Sequence, residues 1–241
     1  FHCWKKEGHG YVNLHEAIEK SCDCYFYNLA RTIQIDDLAK FSNLFSYGQT
    51  TGIDIPNELK GIMPDRKWKM KNRGEKWQKG ETLNTVIGQG FMLSTPLQIT
   101  LMTARIATGK KIIPSIISNK TEFENLKINI KNLEFIKSSM FSVVNNSTGT
   151  AFNSKLSGYY KMAGKTGTSQ VRRISLEERE DGVIKNEELK YKLRDHSIFT
   201  CFAPFDKPKY SLSVIAEHMG SGSKVAAPIA KRIMELALNK Y

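Results

Sequence analysis

Hydrophobic positions recur with a helical period through most of the first 150 residues. Asn13 and Glu16 have the spacing of a capping box, which predicts a short helix over residues 14–20. Apolar residues then line one face of residues 23–33. Residues 49–92 lack such a period and are predicted to be irregular, because they carry several Gly and Pro. Three more helices are predicted: one capped by Asp36 or Asp37 and ended by Gly48, one over residues 95–108 before Gly109, and one capped by Asn132 and reaching Val144.

The pattern becomes β-like in the last third of the chain. Residues 159–171 predict a strand with small residues at its centre, and two apolar runs over residues 196–205 and 210–217 predict two more strands. The charged segment 172–195 is predicted to be an insertion, and an amphipathic helix over 225–239 closes the chain. We therefore predict an α+β fold. Its first part, residues 1–150, is mainly helical, and its second part, residues 151–241, is a β-sheet with the closing helix.

Composition and charge narrow the class of protein. Charged residues make up 25% of the chain and hydrophobic residues 40%, which excludes bulk disorder. The net charge is +12, and half of it lies in residues 60–80, where eight Lys and Arg face Asp65 and Glu75 and interleave with Trp68 and Trp77. Such a segment is most simply a solvated surface loop. An anionic membrane or polymer is an alternative partner, and nucleic acid is a weaker one.

Three of the four cysteines fall within the first 24 residues. Cys3, His9 and Cys22 offer two thiols and an imidazole, which zinc binds in tetrahedral sets of four ligands. The fourth ligand would come from an upstream segment or from His2, His15 or Cys24. A Cys3–Cys22 disulfide and unlinked core thiols are the alternatives. Cys201 lies in an apolar run and is expected to be a small core residue.

The run Lys165-Thr166-Gly167-Thr168 lies inside the first predicted strand. A glycine weakens a strand unless another group must approach its backbone closely. An ammonium group and two hydroxyls beside it suit a carboxylate-bearing ligand laid along the strand. The motif gains specificity from Ser21-x-Asp23, because Lys-Thr-Gly with an upstream Ser-Asp-Asn-like triplet is the set found in penicillin-recognising serine enzymes.

The chain resembles the C-terminal part of the transpeptidase domain of class B penicillin-binding proteins, of the elongation type called penicillin-binding protein 2. The matching blocks span nearly the whole chain. They include Gly8-His9-Gly10, Tyr25-Phe26-Tyr27, Ile87-Gly88-Gln89-Gly90, Thr95-Pro96-Leu97-Gln98, Gly149-Thr150-Ala151 and Leu193-Arg194-Asp195-His196. The resemblance implies the penicillin-binding, serine β-lactamase-like fold, an antiparallel sheet with a C-terminal helix plus a helical subdomain. Residues 1–241 would be a partial domain, incomplete at its N-terminus.

The resemblance also implies a D,D-transpeptidase that cross-links peptidoglycan stem peptides through an acyl-enzyme and binds β-lactams. It assigns catalytic roles to Ser21, Asp23, Lys165 and Thr168, and substrate contacts to Thr166, Gly167, Thr168 and Gln170. Asp23 departs from the Asn usual in the wider superfamily, and an ionised Asp accepts hydrogen bonds but does not donate them. No cofactor is implied for catalysis, although some elongation-type relatives carry zinc near the Ser-x-Asp loop.

The family nucleophile belongs to a Ser-x-x-Lys motif upstream of Ser21, and no serine precedes Ser21 in this chain. The run Ser221-Gly222-Ser223-Lys224 has the right spacing but is expected to be a turn. We therefore expect the nucleophile in an N-terminal segment missing here, and no activity from this chain alone. The alternatives are a non-catalytic remnant or complementing fragment, and a β-lactam-sensing or β-lactam-hydrolysing relative.

The resemblance places the parent protein at the periplasmic face of the bacterial inner membrane, anchored by an upstream segment. Its implied partners are stem peptides, β-lactams and the membrane elongation machinery that controls cell shape. Nucleic acid is not among them.

Overall fold

A computed structural model describes residues 1–117, 122–172, 174, 177–178 and 182–240. In this part of the chain, helices precede a small antiparallel sheet and a last helix follows it, so the predicted α+β architecture is confirmed. None of the described helices is long and apolar enough to cross a membrane. The helices and strands are α1 Leu14–Glu19, α2 Asp23–Ala30, α3 Ile35–Ser42, α4 Arg66–Arg73, α5 Lys79–Val86, α6 Pro96–Thr108, α7 Ile130–Asn145, β1 Ala163–Ser169, β2 His196–Ala203, β3 Tyr210–Ala216 and α8 Ala226–Lys240.

Two helix starts follow the capping rules as predicted. The Asn13 side chain accepts the Glu16 N–H while the Glu16 carboxylate accepts the Asn13 N–H, which closes the capping box of α1. Thr95 caps α6 in the same reciprocal way with Gln98, and Gly109 ends that helix in the left-handed conformation that suits glycine. Gln98 is fully buried, and its side-chain amide donates to three backbone carbonyls of the preceding loop, those of Ser46, Gln49 and Lys60.

One predicted helix end and two predicted caps are wrong. Helix α2 has Cys22 at its N-cap with no side-chain cap bond, and it ends at Ala30 instead of residue 33. Helix α3 has Gln34 at its N-cap, and a short 3-10 turn, Asn43–Phe45, follows it. The N-cap of α7 is Asn129, three residues before the predicted Asn132, and its side chain accepts the Lys131 N–H.

The prediction of an irregular segment over residues 49–92 is also wrong, since α4 and α5 lie within it. Asp65 caps α4 by accepting the Trp68 N–H, and Gly74 ends the helix in the left-handed conformation. The Lys69 side chain is buried and pairs with the carboxylates of Glu75 and Glu81, so charge pairing takes the place of an apolar stripe.

The three described strands pair in the order β1-β2-β3, with every pair antiparallel. Lys165 lies opposite Thr200 and Gly167 opposite Ile198. Strand β1 is shorter than the predicted run over residues 159–171, whereas β2 and β3 match their predictions within two residues. One edge of β1 faces away from the other strands and is therefore available to other groups. Of segment 172–195, residues 173, 175–176 and 179–181 lie outside the described residues, and two 3-10 turns follow at Asn186–Glu188 and Tyr191–Leu193.

Helices α7 and α8 pack on the sheet around the fully buried Phe199, Met162 and Met234. Cys201 is completely buried in this cluster, as predicted. Gly164 lies against the same core. A Cβ there would approach the Phe199 ring to 2.5 Å, so the close packing of β1 on β2 requires glycine.

Candidate active site

Lys165 connects the sheet to the turn between α1 and α2. Its ammonium group donates a short hydrogen bond to the Ser21 hydroxyl and a second bond, 3.0 Å long, to the Thr166 carbonyl. Burial lowers the pKa of Lys165 to about 8, although the carboxylate of Asp23 acts in the opposite direction. Lys165 and Ser21 lie 144 residues apart along the chain, and the sequence predicts that they share one site. Their side chains are in direct contact.

Trp4 holds the turn that carries Ser21 and Asp23. Its backbone N–H donates to the Asp23 carboxylate at 3.2 Å, and its indole N–H donates to the carbonyls of Lys20 and Ser21 at 3.2 and 2.9 Å. Ser21 has a φ of 53°, in the left-handed region that costs a non-glycine residue energy. Burial raises the pKa of Asp23, while the Trp4 N–H and then Lys165 oppose that rise.

The Thr166 hydroxyl contacts the loop that follows helix α7. Its hydroxyl lies 2.8 Å from the Thr150 hydroxyl, and the Thr150 N–H donates to the Glu19 carbonyl at 3.3 Å. The Glu19 carboxylate, almost fully buried, accepts from Thr148 and from Asn146 at 3.3 Å. Helix α1 therefore fixes the loop after α7, and that loop fixes the hydroxyl of Thr166.

Thr168 is exposed at the free edge of β1. The Gln89 amide nitrogen donates to the Thr168 carbonyl at 2.9 Å, and the Gln89 amide oxygen accepts the Gln170 N–H at 3.4 Å. This side chain therefore bonds to the strand edge as a neighbouring strand would.

The Ser221-Gly222 turn packs closely on the other side of this strand. The Gly222 N–H donates to the Thr168 hydroxyl at 3.4 Å, and the Ser197 hydroxyl donates to the Ser221 carbonyl at 2.9 Å. A Cβ at Gly222 would lie 2.3 Å from the Gly167 carbonyl oxygen, so only glycine fits. The Ser221 hydroxyl contacts the Ser223 hydroxyl at 2.9 Å, as in the predicted turn.

The three predicted metal ligands also come together, beside the Ser21 turn. One ligand atom each from Cys3, His9 and Cys22 lies within 4.8 Å of the others, and the Cys3 sulfur is 3.3 Å from His9 Nδ1. Burial, followed by Lys5 and Lys20, lowers the pKa of His9, which favours the neutral imidazole that a metal binds. Burial raises the pKa of the Cys22 thiol.

The structure gathers Ser21, Asp23, Lys165 and Thr166 at one place, with Gly167, Thr168 and Gln170 along the adjoining strand. Sequence reasoning missed the residues that position them, which are Trp4, Glu19, Thr150 and Gln89. In the sequence, two of them belong to blocks that match the family but carry no assigned role: Gly149-Thr150-Ala151 and Ile87-Gly88-Gln89-Gly90.

Comparisons with known proteins identify the family of the chain. Residues 1–235 match the penicillin binding protein transpeptidase domain. The chain is 38% identical over 245 residues to the peptidoglycan D,D-transpeptidase MrdA of Acinetobacter baumannii, covering 95% of this chain and 35% of that protein. It is 37% identical to the MrdA of Haemophilus influenzae, covering 100% of this chain and 38% of that protein. The chain therefore spans little more than a third of these relatives.

Solved structures give the same picture. The penicillin-binding protein 2 of Helicobacter pylori, determined in complex with MreC, superposes with a TM-score of 0.88 at 37% identity and covers 100% of this chain and 42% of that one. The penicillin-binding protein 2 of Pseudomonas aeruginosa, determined in complex with WCK 5153, gives a TM-score of 0.82 at 35% identity, covering 98% of this chain and 51% of that one.

Proposed function

The chain belongs to the penicillin-binding protein transpeptidase family, and we propose that it forms part of a peptidoglycan D,D-transpeptidase of the cell-elongation type. The observation that carries the proposal is the contact between Lys165 and Ser21 beside the exposed edge of β1. This contact brings together a cation, a hydroxyl and a strand edge. Acyl transfer at the last amide of a peptide that ends in a free carboxylate requires these groups.

In this proposal a D-Ala-D-Ala terminus lies along the free edge of β1. The Thr166 and Thr168 hydroxyls bind its carboxylate, with Lys165 supplying positive potential. The Thr168 N–H is one donor to the oxyanion that forms when a serine attacks the amide. Gly167 permits the close approach because it presents no side chain to the ligand.

Ser21 is proposed to relay the proton. The attacking serine loses its proton as its oxygen bonds to the amide carbon, and the leaving D-Ala nitrogen gains a proton as the carbon–nitrogen bond breaks. Lys165 donates to the Ser21 hydroxyl, so that hydroxyl is free to donate its own proton towards the leaving nitrogen. Asp23 holds the turn by accepting the Trp4 N–H. An amine of a second stem peptide then displaces the serine from the acyl-enzyme.

We propose that the nucleophile comes from outside residues 1–241. Ser21 is engaged by Lys165 and has no lysine three residues after it, and the Ser221 hydroxyl has Ser223 as its partner. Intact mass spectrometry with benzylpenicillin separates the alternatives. A penicilloyl adduct should form on the longer protein that carries this chain, and not on residues 1–241 alone. An adduct on the 241-residue chain would place the nucleophile inside it, and no adduct on either would favour a non-catalytic remnant.

A matched pair of variants tests the site itself. In the longer protein, Lys165→Ala should slow acylation by benzylpenicillin on the order of 100-fold or more, because a preorganised electrostatic group is lost. Lys161→Ala, which removes an exposed lysine four residues earlier in the chain, should leave the rate within about twofold. Equal effects of the two substitutions would contradict the assignment. Release of the penicilloyl group within minutes would instead favour a β-lactam-hydrolysing relative.

We also propose a structural zinc at Cys3, His9 and Cys22. Two thiols and an imidazole within 4.8 Å suit the roughly 3.5–4 Å spacing of ligands around a tetrahedral zinc. Binding zinc would replace the thiol protons that burial favours at Cys22. The zinc content of the purified protein should be about one per chain and should fall in Cys22→Ser but not in Cys24→Ser, whose thiol is exposed. A mass lower by two protons would instead indicate the Cys3–Cys22 disulfide.

We also propose a location and a partner for the parent protein. The complex of the Helicobacter pylori protein with MreC suggests a partner in the elongation machinery. We propose the periplasmic face of the inner membrane, with anchoring by a segment outside this chain. Accessibility of Cys24 to a membrane-impermeant thiol reagent in intact and permeabilised cells would test the compartment, since that thiol is exposed.

A further inference from the structure

The basic segment over residues 60–80 is only partly neutralised in the folded chain. Arg66 pairs with Asp36 at 3.0 Å, and Lys69 pairs with Glu75 at 3.4 Å and with Glu81. These two cations are therefore used within the fold.

The other cations of α4 and of the turn after it face solvent. No carboxylate of the described residues lies within 4.0 Å of them. We call this group the basic surface, and it consists of Lys67, Lys71, Arg73, Lys76 and Lys79. Lys67 and Lys71 are one helical turn apart on α4, so they lie side by side. A cavity of about 280 Å³, lined by Arg66, Met70, Lys76 and Trp77, adjoins the helix.

The aromatic residues of this surface are already engaged. The Trp68 ring packs on the Phe91 ring with centroids 5.5 Å apart, and the Trp77 indole donates to the Thr82 hydroxyl at 2.8 Å. Interfacial binding to a bilayer normally uses aromatic and aliphatic side chains that can enter the acyl region. Met70 is the exposed large apolar side chain on α4. The surface therefore favours a polar polyanion over a lipid bilayer.

The basic surface is joined to the proposed substrate edge. Arg73 lies over the Phe91 ring, with its guanidinium carbon 5.6 Å from the ring centroid. Phe91 follows Gln89 by two residues, and Gln89 bonds to the Thr168 carbonyl. Helix α5, which begins at Lys79, packs on α2, whose first residue is Asp23. Phe91 and Gln89 therefore link the basic surface to the edge of β1.

We propose that the basic surface binds the acidic stem peptides of peptidoglycan next to the strand that receives the reacting terminus. The inference rests on the proposed function, and it adds a second contact with the same polymer. Stem peptides carry free carboxylates, and several lysines and an arginine at modest spacing would bind them by salt-dependent attraction. The contact would hold the polymer near the site without recognising a particular peptide sequence.

Co-sedimentation of the longer protein with purified peptidoglycan sacculi tests the proposal. The bound fraction should fall as NaCl rises from 50 to 200 mM, and Lys67→Glu with Lys71→Glu should weaken binding about tenfold. Lys67→Gln with Lys71→Gln should give a smaller loss in the same direction. The matched control, Lys207→Glu with Lys209→Glu, changes the net charge equally at two exposed lysines of the β2–β3 connection and should bind within about twofold of the parent.

Three results would overturn the inference. One is an equal loss in both charge-reversal pairs, which would mean that net charge alone is at work. Another is unchanged binding to sacculi whose carboxylates have been amidated. The third is binding to vesicles of 70% neutral and 30% anionic lipid that the Lys67 and Lys71 reversal abolishes while sacculus binding persists. Acylation of the parent protein by benzylpenicillin, measured in parallel, reports separately on the proposed function.

Discussion

The ammonium of Lys165 is held in a setting that disfavours its charge, and this makes the stability of the fold depend on pH. Its pKa falls from 10.5 to about 8, chiefly through burial. Each pKa unit corresponds to about 1.4 kcal/mol, so the charged form costs on the order of 3 kcal/mol at neutral pH. Between pH 8 and 10.5 the unfolded chain still binds a proton that the folded chain has released, so the free energy of unfolding should rise with pH across this range.

Urea unfolding followed by tryptophan fluorescence isolates this effect. It compares the unsubstituted chain with Lys165→Met at several pH values between 7 and 10.5. The other titrating groups are common to both proteins and cancel in the difference. The free energy of unfolding of the unsubstituted chain should rise relative to that of Lys165→Met, with a slope approaching about 1.4 kcal/mol per pH unit. The substitution also removes the donor to Ser21 and Thr166, but that loss is a constant offset.

A difference that stays flat from pH 7 to 10.5 would refute the reasoning. It would mean that the ammonium is solvated in the folded chain and that Ser21 faces an ordinary lysine. A difference that falls with pH would mean that Lys165 is stabilised in its charged form, as in a strong ion pair with Asp23.

Three other substitutions have clear expectations. Gln89→Ala should slow benzylpenicillin acylation of the longer protein about fivefold, because the edge of β1 loses a positioning hydrogen bond worth about 1 kcal/mol. A faster rate would show that Gln89 blocks the edge instead. Gly222→Ala should lower the free energy of unfolding by about 1–3 kcal/mol, because its Cβ would meet backbone oxygens of two strands at 2.3 Å, whereas Gly158→Ala, in open space, should be close to neutral in the same urea titration. Gln98→Leu should cost about 2–4 kcal/mol, because three loop carbonyls lose their donor, and a loss below 1 kcal/mol would mean that water replaces it.

The elements that the sequence predicted correctly are those whose signals are local. Asn13 with Glu16 and Thr95 with Gln98 are three residues apart, and each pair determines a helix start by itself. Helices α4 and α5 were missed because their buried residues are polar, which breaks the apolar period typical of a helix: α4 buries the ion-paired Lys69, and α5 buries Thr82 and Thr85.

In the site, too, the residues with local sequence signals were predicted and those without them were missed. Lys-Thr-Gly with Ser-x-Asp could be recognised because these residue types stand at fixed local spacings. The side chains that position them could not, since Trp4 and Gln89 act through contacts made 17 and 79 residues away along the chain. Contacts of this kind depend on how elements pack, and a single sequence carries no periodicity that encodes them. The role of Cys3, His9 and Cys22 remains a prediction, although their convergence in space matches it.

The three hydrogen bonds of Trp4 also oppose the loss of chain entropy that closing the loop to the Ser21 turn requires. They close a loop of 17 residues between Trp4 and Ser21, and closing such a loop costs about 2.5 kcal/mol or more. All three bonds are exposed, and each contributes about 0.5–1.5 kcal/mol, so gain and cost nearly cancel. In the zinc-free protein, warming should therefore release the N-terminal loop, and with it the left-handed conformation of Ser21, at temperatures where the sheet is still intact.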